Sequence, residues 1–213
     1  MKLVAVNIDK LDMIDLEKFN DVYNALKQKD ITLLIISNQQ YLTLASVFKD
    51  YENIYYVSEQ GVVVAYDNEV IEKNTFSEME VVLILEDLLS LEDMVICVRG
   101  VNKAYLQSKD SAYYDVFHSN YEQLEVVDDF EKLDDQVVNF IGYVENAETY
   151  LAKCSDVMFV DSKIINEHMI SFMMEDVSID SGIVEVCRRM NISKDDIMYF
   201  EGNTIWEDIM KSL

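Results

Sequence analysis

Two clusters of residues in this chain have the types and placement that chemistry needs. Asn7 and Asp9 close the first apolar run, Leu3-Val4-Ala5-Val6, and a carboxylate beside an amide at a strand end can bind a cation or polar ligand, or handle a proton. Ser37-Asn38-Gln39-Gln40 closes the second run, Ile31 to Ile36, just before a helical pattern. There a hydroxyl, amides and a helix N-terminus can face an anion. In an open α/β sheet, ligands bind beyond the carboxyl ends of the strands, so both clusters fall where a site is expected. Each also has a purely structural reading. The Asn7 amide can satisfy loop N–H groups, and Ser37 can cap the following helix.

The elements that must position these residues follow from apolar periodicity. Met1 to Asp9 and Ile31 to Ile36 read as fully buried strands of a parallel sheet. Leu16 to Lys29 has Leu16, Phe19, Val22, Tyr23 and Leu26 on one helical face, and Tyr41 to Lys49 predicts a second helix. Asn53 to Val57 is a third strand, and Val62 to Ile71 is a hairpin turning at Asp67-Asn68. A different texture starts near Ser77, where Ser77 and Glu80 have capping-box spacing at the head of a helix, Glu78 to Leu89. Strands are predicted at Val95 to Gly100, Lys103 to Leu106, Val137 to Tyr143, Val157 to Val160 and Ile170 to Met174, with a helix from Asn146 to Cys154. The tyrosine-rich segment Asp110 to Glu125 has no clear period. A last helix capped by Asp180 or Ser181 buries Ile183, Val186, Cys187 and Met190, and a strand follows at Ile197 to Phe200. The fold class is α/β, with a parallel-sheet core over 1–76 and 176–213 and an inserted α+β module over 77–175.

Composition removes several function classes. Of 213 residues, 41 are Asp or Glu and 17 Lys or Arg, a net charge of −24 that opposes binding to nucleic acid or anionic membrane. No apolar window is long enough to span a bilayer, and no secretory signal opens the chain, so the cytoplasm is the expected compartment. Cys97, Cys154 and Cys187 are widely spaced and read as buried thiols. His118 and His168 have no partner at motif spacing and read as surface or interface residues. The tyrosines at 105, 113, 114 and 121 read as aromatic packing.

The order of these signals resembles the haloacid dehalogenase-like superfamily, in particular its Cof-type (class IIB) sugar-phosphate phosphatases with a large C2-type cap. Met1 to Leu11 resembles the family's first strand and loop, and Ile31 to Gln40 its second. Tyr56 to Asp67 resembles the family's ENGA segment, Val177 to Ile192 its lysine-bearing helix, and Met198 to Met210 its last motif. The resemblance implies a Rossmann-like core, an aspartyl nucleophile, an acid/base Asp two residues on, a phosphate-binding hydroxyl, a lysine, and carboxylates that hold Mg²⁺.

Carried across by position, Asn7 stands at the nucleophile and Asp9 at the acid/base. Ser37 matches the phosphate-binding hydroxyl with Asn38 beside it, and Ile179 stands at the lysine, for which Lys163 or Lys194 could substitute in space. Asp9, Asn203 and Glu207 fall at the metal positions, with Asn203 in place of a carboxylate. Proteins of this type continue past the last motif with another strand and helix, whereas this chain stops at Leu213. The resulting expectation is a phosphatase homologue that is catalytically degenerate and retains a binding or interaction role. One alternative is an active Mg²⁺-dependent phosphatase of small phosphorylated metabolites using Asp9 or Asp12 in a rearranged site. The other is an acidic subunit that binds a protein partner.

Overall fold

The computed structural model describes residues 2–8, 14–119, 121, 123–202 and 204–213. Its contacts divide the chain into two units, Met1–Lys73 with Val177–Leu213, and Asn74–Asp176.

The first unit begins with β1 (Leu3–Asn7), whose Leu3, Val4, Ala5 and Val6 are completely buried. Helix α1 (Leu16–Gln28) starts where the Asp15 carboxylate accepts the N–H groups of Glu17 and Lys18, and it buries Phe19, Val22 and Leu26 at helical spacing. Strand β2 (Thr32–Ile36), the short helix α2 (Tyr41–Val47) and β3 (Ile54–Ser58) follow. A hairpin then joins β4 (Val63–Tyr66) to β5 (Glu69–Lys73). Its turn residues Asp67 and Asn68 have φ of 48° and 66°, the left-handed pair that a tight two-residue hairpin demands. The chain returns to this unit through α6 (Ile179–Met190), β12 (Ile197–Phe200) and α7 (Ile205–Ser212).

The sheet runs β12-β1-β2-β3-β4-β5, parallel from β12 to β3 and antiparallel in the last two pairs. Side chains alternate along each strand, so one face takes Leu3, Ala5, Leu34, Ile36, Val57 and Val64. Against them α6 packs Ile183, Val186 and Cys187. Beside α1, the Phe19 ring touches Phe48, Tyr51 and Trp206 at centroid distances of 4.8, 4.8 and 5.2 Å, tying α1 to α7 and to the end of α2.

The second unit holds α3 (Glu78–Ser90), β6 (Val95–Gly100), β7 (Ala104–Gln107), α4 (Tyr114–His118) and β8 (Leu124–Val127). After these come β9 (Val137–Tyr143), α5 (Ala147–Tyr150), β10 (Val160–Asn166) and β11 (Met169–Met174). The capping box of Ser77 and Glu80 is formed as expected. The sheet order is β10-β11-β9-β6-β7-β8, antiparallel except for the β7–β8 pair. One large apolar cluster joins this sheet to α3 and α5, including Ile84, Leu88, Val98, Phe140, Tyr150 and Phe172. A smaller one, with Cys97, Leu106, Ile141 and Met169, is covered by Phe117 of α4.

Three local expectations need correction. The predicted strand at Val157 to Val160 is a turn, Val157 N–H bonding to the Cys154 carbonyl, and the strand begins where that prediction stops. This edge strand escapes a hydrophobic search because five of its seven residues are exposed, Ile164 and Ile165 among them. The predicted helix from Asn146 is only four α-helical residues followed by a 3-10 turn, Leu151–Cys154. Helix α6 is capped by Ser178, not Asp180 or Ser181. Ser178 Oγ accepts the Ser181 N–H at 3.1 Å and Ser181 Oγ accepts the Ser178 N–H at 2.9 Å, the reciprocal pair of a capping box. The three cysteines are buried free thiols, as their spacing implied.

The turn after β3 passes so close to the head of α6 that a Cβ on Gly61, whose φ is +100°, would lie 1.9 Å from the Ser178 carbonyl oxygen. Gly61→Ala is therefore expected to lower unfolding stability by about 3 kcal/mol, combining left-handed strain with a backbone collision, as read by urea denaturation. A second outcome concerns acid. Glu185 on α6 accepts from Arg188 and from Arg189 at 2.6 Å, and these bonds hold its carboxyl at about 2 against an ordinary 4.5. Its stabilising contribution is complete above pH 4.5 and is lost as pH falls toward 2. Glu185→Gln should flatten that part of the stability-against-pH curve while the protein keeps its fold at neutral pH.

Candidate functional site

The carboxyl ends of β1, β2 and β3 bring three of the sequence-predicted residues into one neighbourhood. Asn7 is the last residue of β1, half-buried, and in register with Ile36 of β2. Ser37 follows at once and is fully buried, its N–H bonded to the Val57 carbonyl of β3. Asn38 comes next and is exposed. Adjacent parallel strands force this convergence, because in-register ends of buried strands must lie side by side.

The Ser37 hydroxyl is engaged within the protein. It donates to the Ile8 carbonyl at 2.7 Å and accepts the Gln39 N–H at 3.1 Å, so it bridges the ends of β1 and β2. The capping alternative for Ser37 is thereby overturned: the residue at the head of α2 is Gln40, which caps with no side-chain bond. The helix N-terminus is itself partly engaged. Tyr41 N–H bonds to Glu59 Oε1 at 3.2 Å, and Glu59 is a carboxylate only 2% exposed. Glu59 and Gln60 have φ of 53° and 61°, left-handed backbone that turns the chain from β3 toward Gly61. Sequence reasoning did not single out Glu59 by function; the available signal was a charge lodged in the apolar stretch from Ile54 to Val64.

At the first position of α6, Ile179 packs on the apolar cluster under the sheet. Of the two lysines considered as substitutes, Lys194 has its Nζ 2.6 Å from Oδ1 of Asp180, the next residue on α6. Lys163 lies in β10 of the second unit. Glu207 is on α7, where its Oε1 accepts from Lys18 Nζ of α1 at 2.6 Å. That carboxylate pushes the Lys18 ammonium upward, chiefly through the hydrogen bond. Asp9, Asp12 and Asn203, the remaining expected site residues, lie outside the described residues. Among the described residues no three His, Cys, Asp or Glu side chains converge to hold a metal ion.

Away from the strand ends, His118 is exposed and stacks on Tyr114 at 5.2 Å, while His168 Nδ1 lies 2.8 Å from the Glu145 carbonyl. Tyr105 donates to Asp135 at 3.0 Å, and Tyr113 packs on Tyr143. These are packing and surface roles, as the sequence implied.

Comparison with known proteins now bears on the arrangement. Residues 8–203 match the family model of haloacid dehalogenase-like hydrolases. The chain is 31% identical over 147 residues to the Escherichia coli K12 protein 5-amino-6-(5-phospho-D-ribitylamino)uracil phosphatase YbjI, covering 66% of this chain and 54% of that protein. It thus spans about half the length of that curated relative. Among solved structures, SMU.1108c of Streptococcus mutans UA159 superposes with a TM-score of 0.81 at 19% identity, covering 97% of this chain and 84% of the other. BT4131, described as a subclass IIB sugar phosphatase, superposes with a TM-score of 0.72 at 15% identity, over 96% of this chain and 82% of the other. At such identities the structural matches speak for the fold. No helix among the described residues is long and apolar enough to cross a membrane.

Because Ser37 Oγ is the hydroxyl that satisfies the buried Ile8 carbonyl, Ser37→Ala is expected to cost about 1–2 kcal/mol of unfolding stability by urea titration. An unchanged midpoint would mean that the hydroxyl serves no structural bridge.

Proposed function

Since the chain belongs to the haloacid dehalogenase-like hydrolase family, we propose that it is a Cof-type phosphatase homologue that has lost phosphoryl-transfer chemistry and serves as a binding or interaction protein. The observation that carries this reading is Asn7. It ends the buried strand β1 where the family pattern has an aspartate, and a neutral amide is a poor nucleophile that cannot form an acyl-phosphate.

Two further residues support it. Ile179 contributes apolar packing where the pattern has a lysine, so that position supplies no cation to a phosphoryl group. Glu207 carries the Lys18 ammonium at 2.6 Å, and an ammonium there competes with a divalent ion. Magnesium prefers several charged or carbonyl oxygens in octahedral order. An ion-paired Glu207 does not fit that preference. The remaining expected ligands, Asp9 and Asn203, are outside the described residues. The second unit we read as the family's cap. A net charge of −24 suits an interaction role with a basic protein partner.

The similarity to YbjI favours a second reading, a working phosphatase in which Asp9 or Asp12 acts within a rearranged site on a small phosphorylated metabolite. Turnover separates the two. With p-nitrophenyl phosphate and saturating Mg²⁺, we expect no hydrolysis above the protein-free blank. Asn7→Asp alone is expected to stay inactive, because Ile179 and Asn203 remain. Hydrolysis by the unaltered protein that disappears in Asp9→Ala would overturn the first reading and establish the second.

A further inference from the structure

Helix α3 is apolar on two sides, although only one of them is packed. Val81, Ile84, Leu85 and Leu88 turn inward and join the core of the second unit. Met79, Val82, Leu83 and Leu89 fall on the opposite side, within roughly 120° of one another at 3.6 residues per turn. Met79 is 68% exposed, Val82 40% and Leu89 46%, and Leu83 is half-buried. A helix apolar all round is ordinarily enclosed. Exposed apolar residues gathered on one face, unlike single ones, mark an interaction surface.

The turn before β10 extends this face. Met158 N–H bonds to Asp87 Oδ2 at 3.4 Å, and Asp87 lies one helical turn past Leu83 on the same side of α3. Met158 and Phe159 are both exposed. Phe159 has a φ of 66°, left-handed backbone that strains a bulky residue, so the turn keeps an aromatic ring at the surface at a conformational cost.

Every charge on the helix is negative: Glu78, Glu80, Glu86 and Asp87. Glu92 and Asp93 follow just beyond its end, and Asp156 precedes Met158. This acidic rim discriminates among occupants. A second copy of the chain would set acidic rim against acidic rim across a two-fold axis, and like-charge juxtaposition is costly. An anionic lipid surface would be repelled in the same way.

We propose that this face docks a basic amphipathic helix of a partner protein, with its apolar stripe on Met79, Val82, Leu83 and Leu89 and its flanking Lys or Arg residues against Glu78, Glu86 and Asp87. Side chains three and four residues apart form the ridges between which those of a second helix pack. Recognition of an amphipathic helix reads apolar anchors at that same spacing. The proposal deepens the interaction role inferred above and rests on it for the existence of a partner, while the place and the chemistry come from α3.

The test titrates the full chain into a fluorescein-labelled peptide of about 15 residues, Leu and Lys at helical spacing, which is only marginally helical alone. A peptide with Ala in place of every Leu keeps the charge and serves as the control. Anisotropy and circular dichroism should show the Leu peptide binding and gaining helix, with the Ala peptide at least about tenfold weaker. Added salt should weaken the binding, since opposite charges meet at the rim. The double variant Met79→Ser, Leu89→Ser keeps the net charge at −24, so its expected loss of at least about tenfold in affinity cannot come from charge. Val184→Ser, at an exposed apolar position on α6, should leave affinity unchanged. All three positions are exposed, so melting temperatures should stay near that of the parent. Equal binding of the two peptides, or an affinity untouched in the double variant, would overturn the proposal. So would a dimer in sedimentation velocity, or attachment to phosphatidylcholine vesicles, that the double variant abolishes, because the face would then belong to a second copy or to lipid. Turnover of p-nitrophenyl phosphate, read in the same samples, keeps the two readings apart. Turnover together with peptide binding would sink the loss of phosphoryl-transfer chemistry and leave the surface standing, whereas the absence of both would sink the surface alone.

Discussion

The burial of β1 between two parallel neighbours is the constraint on which the first unit depends. Leu3 to Val6 have no exposure at all, so every backbone polar group of the strand must be bonded to β12 or β2, and both faces must be covered by apolar side chains. That demand calls for α6 on one face. It also fixes where the strand ends fall: Asn7, Ser37 and Ser58 terminate three in-register strands. A strand that dry leaves functional groups only at its end.

At that end the polar groups largely answer one another. Ser37 joins the ends of β1 and β2 through the Ile8 carbonyl, and Glu59 occupies the first N–H of α2. In a site built to receive a phosphoryl group, hydroxyls and helix N–H groups are the natural donors to the incoming oxygens. Here the Ser37 hydroxyl and the Tyr41 N–H of α2 are engaged internally. The same economy explains why Gly61 is confined to glycine: its turn presses against the Ser178 carbonyl, the residue that caps α6. Turn, cap and strand end are one connected piece of backbone.

The second unit is organised by a different contrast. One face of its sheet carries the large apolar cluster shared with α3 and α5, and the other divides between an apolar part that includes Phe117 and a row with Arg99 opposite Asn139. Cys97 belongs to this divided face, and burial pushes its thiol up to about 12, with Arg99 opposing that shift only in part. The local environment is therefore one in which ionisation is strongly resisted and an added hydrogen bond is worth more than at the surface.

Much of the core was legible in the residues themselves. Apolar runs at Leu3 to Val6 and Leu33 to Ile36 determined buried parallel strands, the spacing of Phe19, Val22 and Leu26 determined an amphipathic helix, and Asp67-Asn68 determined a hairpin turn, because each signal is written in neighbouring residues. Edge strand β10 was not legible, since exposed, partly charged residues form it only by pairing with β11. The roles of Ser37 and Ser178 were also decided by tertiary contacts: hydroxyls of similar local context became a strand bridge in one case and a helix cap in the other. Asn139 and Ser171 show the limit most clearly. Each is an ordinary polar residue in a strand, and only the register of three strands, set far apart in sequence, puts Asn139 opposite Arg99 and Ser171 in the adjoining row of the same face, all three buried.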